Sequence, residues 1–219
     1  MTFFDNAYLG VPTWDIGRPQ GAVLRLARAG LIEGSVLDAG CGTGENALLV
    51  AGLGHAVVGV DLAPAAIAKA DLRARARGIA ATFLTWDALR LDELGRVFDT
   101  VLDIGLFHCL QPWERRPYAA SLHAVLRPGG RCHLLCWSDR NPFGRGPERV
   151  TRSAIRAAFR SGWTVETIEG ESLETRLPEG EAHAWLARLR RGPDRPAGSG
   201  RPAGSSGKHD LAADRDRRP

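Results

Sequence analysis

The stretch VLDAGCGTGENAL, residues 36–48, decides the fold. It begins with an apolar run that contains Asp38, passes through a loop with glycine at positions 40, 42 and 44, and ends in residues typical of a helix. A strand, a glycine-rich loop and a helix N-terminus form the arrangement by which α/β proteins bind nucleotide-like ligands at the carboxyl ends of strands. The pattern alone does not identify the ligand.

Acids on both sides of the glycines argue against a phosphate ligand. The dinucleotide pattern G-x-G-x-x-G fails at Glu45, only the weaker G-x-G-x-x-A fits from Gly42, and the Gly-Lys-Ser/Thr of a phosphate-binding loop is absent. Asp38 and Glu45 are expected to repel a pyrophosphate and to attract a cation. We therefore predict a ligand with a cationic end and no phosphate.

Apolar runs typical of strands alternate with helical segments along the chain. Besides the strand at 36–40, strands are predicted at 56–61, 81–87, 98–105 and 131–137, and helices at 20–32, 44–53, 63–77, 115–126 and 151–160. The sequence LRPGG at 126–130 predicts a turn before the fifth strand. Two late runs, 163–170 and 182–191, predict an antiparallel hairpin at the sheet edge. This alternation is typical of a doubly wound α/β sheet.

The positive charge of the chain is concentrated near its C-terminus. The chain has 219 residues, 44% of them hydrophobic, and a formal charge of +4. Nine basic and four acidic residues lie from residue 188 onward, so this segment carries +5 and the remainder −1. The length predicts one main domain. The near-neutral body does not favour a nucleic-acid partner.

Residues 192–219 are rich in Gly, Pro, Ser and charge, and they contain almost no large apolar side chains. Such a segment buries too little surface to offset its ordering entropy, so we predict a disordered tail. An inert extension and a weak electrostatic arm for anionic partners both remain open.

The four cysteines predict no disulfide or metal site. They form no CxxC pair, and no histidines accompany them at zinc-finger spacing. The sequence shows no signal peptide and no apolar stretch long enough to cross a membrane. We expect a cytoplasmic protein with reduced thiols and no membrane partner.

The ends of the second and third strands add further ligand contacts. Asp61 lies 21 positions after Gly40, close to the roughly 20 at which an acid receives ribose hydroxyls. Asp87 could accept from an adenine amino group, and Trp86 could cover its ring. Ribose hydroxyls at one end and an ammonium group at the other describe S-adenosylmethionine.

Five segments resemble, in order and spacing, the motifs of class I S-adenosylmethionine-dependent methyltransferases over residues 12–190. They are VLDAGCGTG, VVGVDLAPAAI, TWDAL, FDTVLDIGLFHCL and LRPGGRCHLLCW. The resemblance implies a Rossmann-like doubly wound α/β sheet of seven strands, the last antiparallel, with helices on both faces. It places Asp38, Gly40 and Gly42 on the methionine side of the cofactor and Asp61 at the ribose. It also implies cofactor contacts for Leu62, Trp86, Asp87 and Ala88, the last three at the adenine.

Two segments resemble a narrower branch, the thiopurine, thiol and halide methyltransferases and their bacterial small-heterocycle relatives. They are PTWDIGRPQ (12–20) and LDIGLFHCLQPWERRPYAASL (102–122). The resemblance implies that residues 1–20 form a lid on a domain of residues 21–191, that Trp14 covers the cofactor, and that Ile104 contacts cofactor or substrate. Thiopurine enzymes carry arginine at the position of Ile104, so this chain departs from them there. Phe3, Phe4 and Tyr8 either complete the lid or are packing aromatics.

Methyl transfer from a sulfonium is an in-line displacement with a neutral leaving group, so alignment supplies most of the acceleration. A thiol or phenol needs no protein base, whereas an alcohol or amine does. His108 is the candidate general base, and the alternative is a histidine held by hydrogen bonds near the pocket. Asp103 is either a pocket acid or a cap of the following loop. Three arginines either attract an anionic acceptor or form a solvated face: Arg145, Arg149 and Arg152.

The leading functional prediction is methylation of sulfur, oxygen or nitrogen in a small thiol or hydroxylated heterocycle. A macromolecular methyltransferase is the enzyme alternative. The chain has DIGL where many nucleic-acid amino-methylating enzymes carry an Asn/Asp-Pro-Pro-aromatic motif, which argues against it. A non-catalytic S-adenosylmethionine-binding module is the third possibility.

Overall fold

A computed structural model describes residues 3–142, 144 and 146–193. Its strands are β1 (Val36–Ala39), β2 (Val57–Asp61), β3 (Thr82–Thr85), β4 (Phe98–Ile104), β5 (Leu126–Trp137), β6 (Trp163–Glu174) and β7 (Glu181–Arg191). They form one sheet in the order β3-β2-β1-β4-β5-β7-β6. Strands β1 to β5 pair in parallel, and β7 is antiparallel to both β5 and β6. The predicted Rossmann-like sheet of seven strands with a reversed last strand is confirmed.

In the described part of the chain, six α-helices connect or flank the strands. They are α1 (Phe3–Ala7), α2 (Gly21–Arg28), α3 (Glu45–Gly52), α4 (Pro64–Arg77), α5 (Arg115–Val125) and α6 (Arg152–Ala158). Two short 3₁₀ helices follow β3 and β4, at Ala88–Leu94 and Phe107–Cys109. Helix α4 shows why these segments start and stop where they do. Pro64 opens it, and Gly78 ends it in the left-handed region at φ +64°.

The LRPGG segment differs from the predicted turn, because the structure includes it in β5. Leu126 pairs with Phe98 and Arg131 pairs with Thr100, so residues 127–130 face the single residue Asp99 on β4. Gly129, at φ +81°, lets the chain bulge outward and return to the ladder. The breaker residues therefore interrupt the register of a strand that has already begun.

The sheet buries apolar side chains on both faces. On one face, Phe107, Tyr118 and Phe159 are almost fully buried against the strands. On the other face, α2, α3 and α4 contribute a second cluster, which includes Val23 and Leu48. Burying a large apolar side chain contributes roughly 1.5–3 kcal/mol. These two layers hold the sheet rigid, so the carboxyl ends of β1 to β4 form a fixed platform.

Parts of the earlier predictions lie outside this description. Only residues 192 and 193 of the predicted tail are described, and so the disorder predicted for 194–219 stays a prediction, as does Arg145 as an acceptor contact.

Within the described residues, no helix is both long and apolar enough to cross a membrane. Cys41, Cys132 and Cys136 are buried free thiols, and Cys109 is an exposed one.

Candidate active site

The residues predicted to contact the cofactor converge at one edge of the sheet. Asp38 lies in β1, Asp61 ends β2, Trp86 follows β3, and Ile104 ends β4. These four strands are neighbours and run in parallel, so their carboxyl ends meet. This edge is the candidate active site.

The glycine loop lies in close contact with two other segments. Gly40 and Gly42 have φ angles of +72° and +54°, in the left-handed region. A Cβ atom on Gly40 would lie 2.9 Å from Cβ of Leu106, and one on Gly42 would lie 2.8 Å from the hydroxyl oxygen of Tyr8. Side chains at these positions would displace the β4 turn and the N-terminal segment, so both glycines are required by packing.

Asp38 is a buried acid without a hydrogen-bond partner. It is 1% exposed, and neither carboxylate oxygen makes a hydrogen bond within the described part of the chain. Burial raises the pKa of Asp38 to about 7, and the negative charges of Asp103 and Asp61 raise it further. The backbone N–H of Ala47 opposes this rise, although it does not reach hydrogen-bond geometry. A buried charge is stable only when paired. Asp38 is thus suited to a cationic ligand group.

Asp61 holds the glycine loop in place. Its Oδ2 accepts a hydrogen bond from the Gly42 N–H, and its Oδ1 accepts one from the Ala63 N–H, both at 2.9 Å. Burial raises its pKa, and these two amides oppose the rise. A carboxylate has about four acceptor positions, so Asp61 retains acceptor capacity for ligand hydroxyls.

The segment after β3 forms the next part of the edge. The Asp87 side chain caps the 3₁₀ helix Ala88–Leu94, accepting from the Leu89 N–H at 2.9 Å through Oδ1. The indole N–H of Trp86 donates to the Arg90 carbonyl at 2.9 Å, which folds this ring against the helix. Leu62, beyond β2, leaves half of its side chain exposed. Asp87 therefore has a structural role through Oδ1, and its contact with the adenine stays a prediction.

Asp103 caps the turn after β4, which is one of the two roles left open by the sequence. Its Oδ1 accepts from the N–H groups of Leu106 and Phe107 at 2.9 and 3.2 Å, and its Oδ2 from the Tyr118 hydroxyl at 2.9 Å. In the parallel pairing of β1 with β4, Ala39 lies beside Asp103, and their side chains point to the same face of the sheet. Because side chains alternate along a strand, Asp38 and Asp103 point to opposite faces.

His108 does not have the geometry of a general base. The backbone N–H of Trp137 donates to Nδ1 of His108 at 3.0 Å. Burial, with Arg115 nearby, lowers the pKa of His108 to about 4, so the ring is neutral. Because Nδ1 accepts, the single ring proton is on Nε2. The sequence-based prediction of a base is therefore corrected to the alternative, a histidine fixed by a hydrogen bond and presenting an N–H.

The Nε2 edge of His108 faces the end of β4. A Cβ built on Gly105, the residue after Ile104, would lie 3.5 Å from Cε1 and 3.9 Å from Nε2 of His108. Within the described residues, no group hydrogen-bonds Nε2. This N–H is thus the polar group that His108 presents beside the half-buried Ile104.

Four aromatic residues of the N-terminal segment cluster over the glycine loop. The Trp14 indole N–H donates to the Tyr8 hydroxyl at 3.0 Å, and the ring centroids of Phe3 and Phe4 lie 6.4 and 6.1 Å from that of Trp14. Tyr8 is buried against Ala63 and Ala66, at the start of α4. Trp14 keeps 37% of its surface exposed. The cluster lies where a lid would lie, and its lid role stays a prediction.

A polar network that the sequence did not reveal ties this segment to the glycine loop. The Thr43 hydroxyl donates to Oδ2 of Asp15 at 3.0 Å, and Arg73 contacts the same oxygen at 3.2 Å. Arg73 also lies 3.2 Å from Glu45, which Arg77 holds through two hydrogen bonds of 2.8 and 2.7 Å. The spacing of the two arginines, one turn apart on α4, was the available signal.

The role predicted for Glu45 is therefore wrong. Its carboxylate is compensated by Arg73 and Arg77 on α4 and does not act as a free negative charge beside the ligand. The electrostatic argument against a phosphate rests on Asp38 alone.

An open cavity of about 620 Å³ lies at the opposite edge of the sheet, where its lining includes Ser35, Val57, Thr82 and Phe98. These residues lie at or near the amino ends of β1 to β4. Ligands of open α/β sheets bind at the carboxyl ends, so we assign this cavity no part in the site.

Comparisons with known proteins agree with this geometry. A family model described as "Methyltransferase domain" matches residues 36–130. A 2-heptyl-1-hydroxyquinolin-4(1H)-one methyltransferase of Mycobacteroides abscessus is 37% identical over 180 residues, covering 75% of this chain and 78% of that enzyme. Thiocyanate methyltransferase 1 of Brassica oleracea is 29% identical over 190 residues, covering 80% of each chain. A solved structure described as "Conversion of a Disulfide Bond into a Thioacetal Group during Echinomycin Biosynthesis" is 40% identical, with a TM-score of 0.81 over 88% of this chain and 92% of that one.

The chain belongs to the S-adenosylmethionine-dependent methyltransferases. The class I resemblance and the cofactor inferred from the strand ends are both confirmed at the level of the family. The residues present fit this cofactor, because the orphaned Asp38 carboxylate matches its ammonium group. Two of these relatives are named for small-molecule acceptors, a hydroxyquinolinone and thiocyanate.

Cofactor affinity should depend on pH through Asp38. Only the charged carboxylate attracts an ammonium group, so the Kd for S-adenosylmethionine should rise by up to about tenfold per pH unit as the pH falls below the pKa of about 7. The same raised pKa means that the free protein loses stability as the pH rises from 3.8, the ordinary pKa of an aspartate, to about 7, because the folded state holds a proton that the unfolded state has released. Calorimetric titration from about pH 5.5 to 7.5 measures the binding effect. Asp38→Asn should bind weakly throughout with a much reduced slope, and an unchanged slope in this variant contradicts the assignment.

Asp15→Asn should release the N-terminal segment. The substitution removes the charge that Arg73 contacts and weakens the bond from Thr43, at a cost of about 1–3 kcal/mol in the free energy of local opening. Chymotrypsin cleavage among the N-terminal aromatic residues should accelerate by about tenfold to a hundredfold. Arg18→Ala is the matched control, because its pair with Glu174 is exposed and contributes little. Equal cleavage of both variants would show that the network does not hold the segment.

Proposed function

We propose that this methyltransferase transfers the methyl group of S-adenosylmethionine to a sulfur, oxygen or nitrogen atom of a small molecule that ionises by itself, such as a thiol or a hydroxylated heterocycle. The observation that carries the proposal is the hydrogen bond from the Trp137 N–H to Nδ1 of His108. Because Nδ1 accepts this bond, His108 presents an N–H donor, at Nε2, beside the end of β4. A donor can stabilise an anionic acceptor but cannot remove a proton from a neutral one.

The chain's own residues would hold and orient the cofactor. In this proposal Asp38 binds the ammonium group, Gly40 and Gly42 allow the backbone to approach, and Asp61 accepts from the ribose hydroxyls. A further group contacts the adenine and neighbouring atoms, and it comprises Leu62, Trp86, Asp87 and Ala88. Trp14 covers the cofactor, and Ile104 lies between cofactor and acceptor.

The cofactor, when bound, supplies an electrophilic methyl group on a sulfonium whose departure leaves a neutral thioether. The protein therefore has no leaving group to protonate. Its contribution is to align the acceptor and to exclude water, and alignment is worth up to about 7–11 kcal/mol. Leu106 lies against Gly40, which closes the gap between the β4 turn and the glycine loop.

His108 would position the acceptor by donating from Nε2–H to its nucleophilic or neighbouring oxygen or sulfur. Hydrogen bonds to charged groups contribute about 1.5–3 kcal/mol. Such a bond favours the ionised acceptor and lowers the acceptor's pKa in the site. The names of two relatives support this chemistry, because a hydroxyquinolinone is acidic and thiocyanate is an anion. A cytoplasmic location, the lid at residues 1–20 and the exclusion of nucleic acid remain predictions.

A His108→Gln variant separates a donor from a base. Glutamine can place an N–H near the position of Nε2 but has no basic nitrogen, so most of kcat/KM should survive. His108→Leu should lose about tenfold to a hundredfold. Thiophenol and 1-hydroxyquinolin-4(1H)-one serve as acceptors, with benzyl alcohol as the weakly acidic comparison.

The pH profile of kcat/KM should break at the pKa of each acceptor and should be the same in His108→Gln and wild type. Benzyl alcohol should not react. Loss of activity in His108→Gln equal to that in His108→Leu, or turnover of benzyl alcohol, would contradict the proposal.

A further inference from the structure

The carboxyl ends of β4 and β5 carry a set of buried hydrogen-bond donors without matching acceptors. Neither Nε nor Nη2 of Arg115 makes a hydrogen bond within the described residues, and the same holds for the indole N–H of Trp137. Arg115 is 7% exposed and Trp137 8% exposed. His108 adds the Nε2–H described above. Buried donors normally have partners, so the unpartnered N–H groups of Arg115 and Trp137 indicate a missing acceptor.

These donors lie close to one another. His108 and Trp137 share the hydrogen bond at Nδ1, and their ring centroids are 6.4 Å apart in an edge-to-face arrangement. The Arg115 guanidinium lies 5.3 Å from the ring centroid of Phe107, the residue before His108. Its charge lowers the pKa of both His108 and Cys136, although burial outweighs this effect at the cysteine. The positive charge of Arg115 therefore influences groups at the end of β4 and at the end of β5.

Carboxylates in direct contact with Arg115 compensate its charge only weakly. The only carboxylate recorded against Arg115 among the described residues is Glu148, 3.1 Å from Nη2 but outside hydrogen-bond geometry and 47% exposed. A second guanidinium, from Arg149, lies 5.7 Å from the ring centroid of Trp137. A half-exposed carboxylate is screened by water and compensates a buried guanidinium poorly.

We propose that Arg115, Trp137 and His108 form a subsite that binds the methyl acceptor as an anion. The ligand class is a small heteroaromatic oxyanion or thiolate whose negative charge is shared between the nucleophilic atom and a second conjugated oxygen, nitrogen or sulfur. His108 donates near the nucleophile, and Arg115 with the Trp137 N–H compensates the charge at the second atom. The inference rests on the proposed function and deepens it by naming the charge state of the bound acceptor.

Arg115 is thus a specificity-determining residue for the acceptor, distinct from the three arginines considered from the sequence. Of those three, Arg152 lies 4.1 Å from the ring centroid of Trp185. Arg149 stacks on Trp137 and donates to the carbonyls of Pro147 and Pro142. These contacts give both arginines structural partners. Arg145 lies outside the described residues.

The test compares two probes that differ in charge. 1-Hydroxyquinolin-4(1H)-one ionises to an oxyanion, and its 1-methoxy ether stays neutral with the same ring. Binding to the S-adenosylhomocysteine complex is measured by calorimetry at about pH 8, so the readout does not require turnover. Wild type should prefer the anion by tenfold or more, and Arg115→Gln should reduce that preference to less than threefold.

Three further variants keep the result interpretable. Trp137→Phe removes one N–H but keeps the ring and the backbone bond to His108, and it should reduce the preference by about threefold. Arg115→Lys should retain part of the preference, because it keeps the charge. Arg116→Gln, the exposed neighbour on α5, is the matched control and should leave the preference unchanged.

The outcomes separate this inference from the proposed function. If wild type methylates the oxyanion but Arg115→Gln and Trp137→Phe, both folded by circular dichroism, keep the full preference for it, the subsite is overturned and the methylation proposal stands. If wild type neither binds nor methylates the ionised probe or thiophenol, the proposed function fails together with the subsite.

Discussion

A carboxylate buried without a partner at the end of β1 is the constraint on which the structure of this site depends. Asp38 is enclosed by the sheet and by α3, and its raised pKa reflects the cost of keeping a charge there. Folding alone gains nothing from this arrangement, since an apolar residue would pack at lower cost. A cationic ligand group that pairs with Asp38 removes this cost, and the gain in free energy contributes to ligand binding. The surrounding glycine loop, with its left-handed backbone, leaves room for that ligand.

Three aspartates at the ends of adjacent strands differ in how many hydrogen bonds the protein itself gives them. Asp103 accepts three and is a structural cap, whereas Asp61 accepts two and retains capacity for hydroxyls. Asp38 accepts none. The number of internal hydrogen bonds therefore ranks these acids by their availability to a ligand. The same reasoning singles out Arg115 and Trp137 on the acceptor side, where donors lack acceptors.

Local patterns were enough to predict the sheet and the residues at its carboxyl edge. Parallel strands deliver their ends to one edge, so Asp38, Asp61 and Asp87 could be placed together without coordinates. Contacts across the fold could not be predicted in this way. The pairing of Glu45 with Arg73 depends on how α3 packs against α4, and the proton position on His108 depends on a backbone amide of β5. The spacing of Arg73 and Arg77 places both on one face of α4 but does not indicate which acid they contact, and the proton position on His108 has no signature in residue spacing.

The most direct test of the account is the affinity of a ligand pair that differs only in the ammonium group. S-adenosylhomocysteine and its deamino analogue should be titrated by calorimetry into wild type and Asp38→Asn at about pH 7.5. The account predicts that wild type binds S-adenosylhomocysteine at least about tenfold more tightly than the analogue, consistent with about 1.5–3 kcal/mol for a charged hydrogen bond, and that Asp38→Asn loses this difference. Equal affinity of wild type for the two ligands, or a difference that survives in the variant, would contradict it.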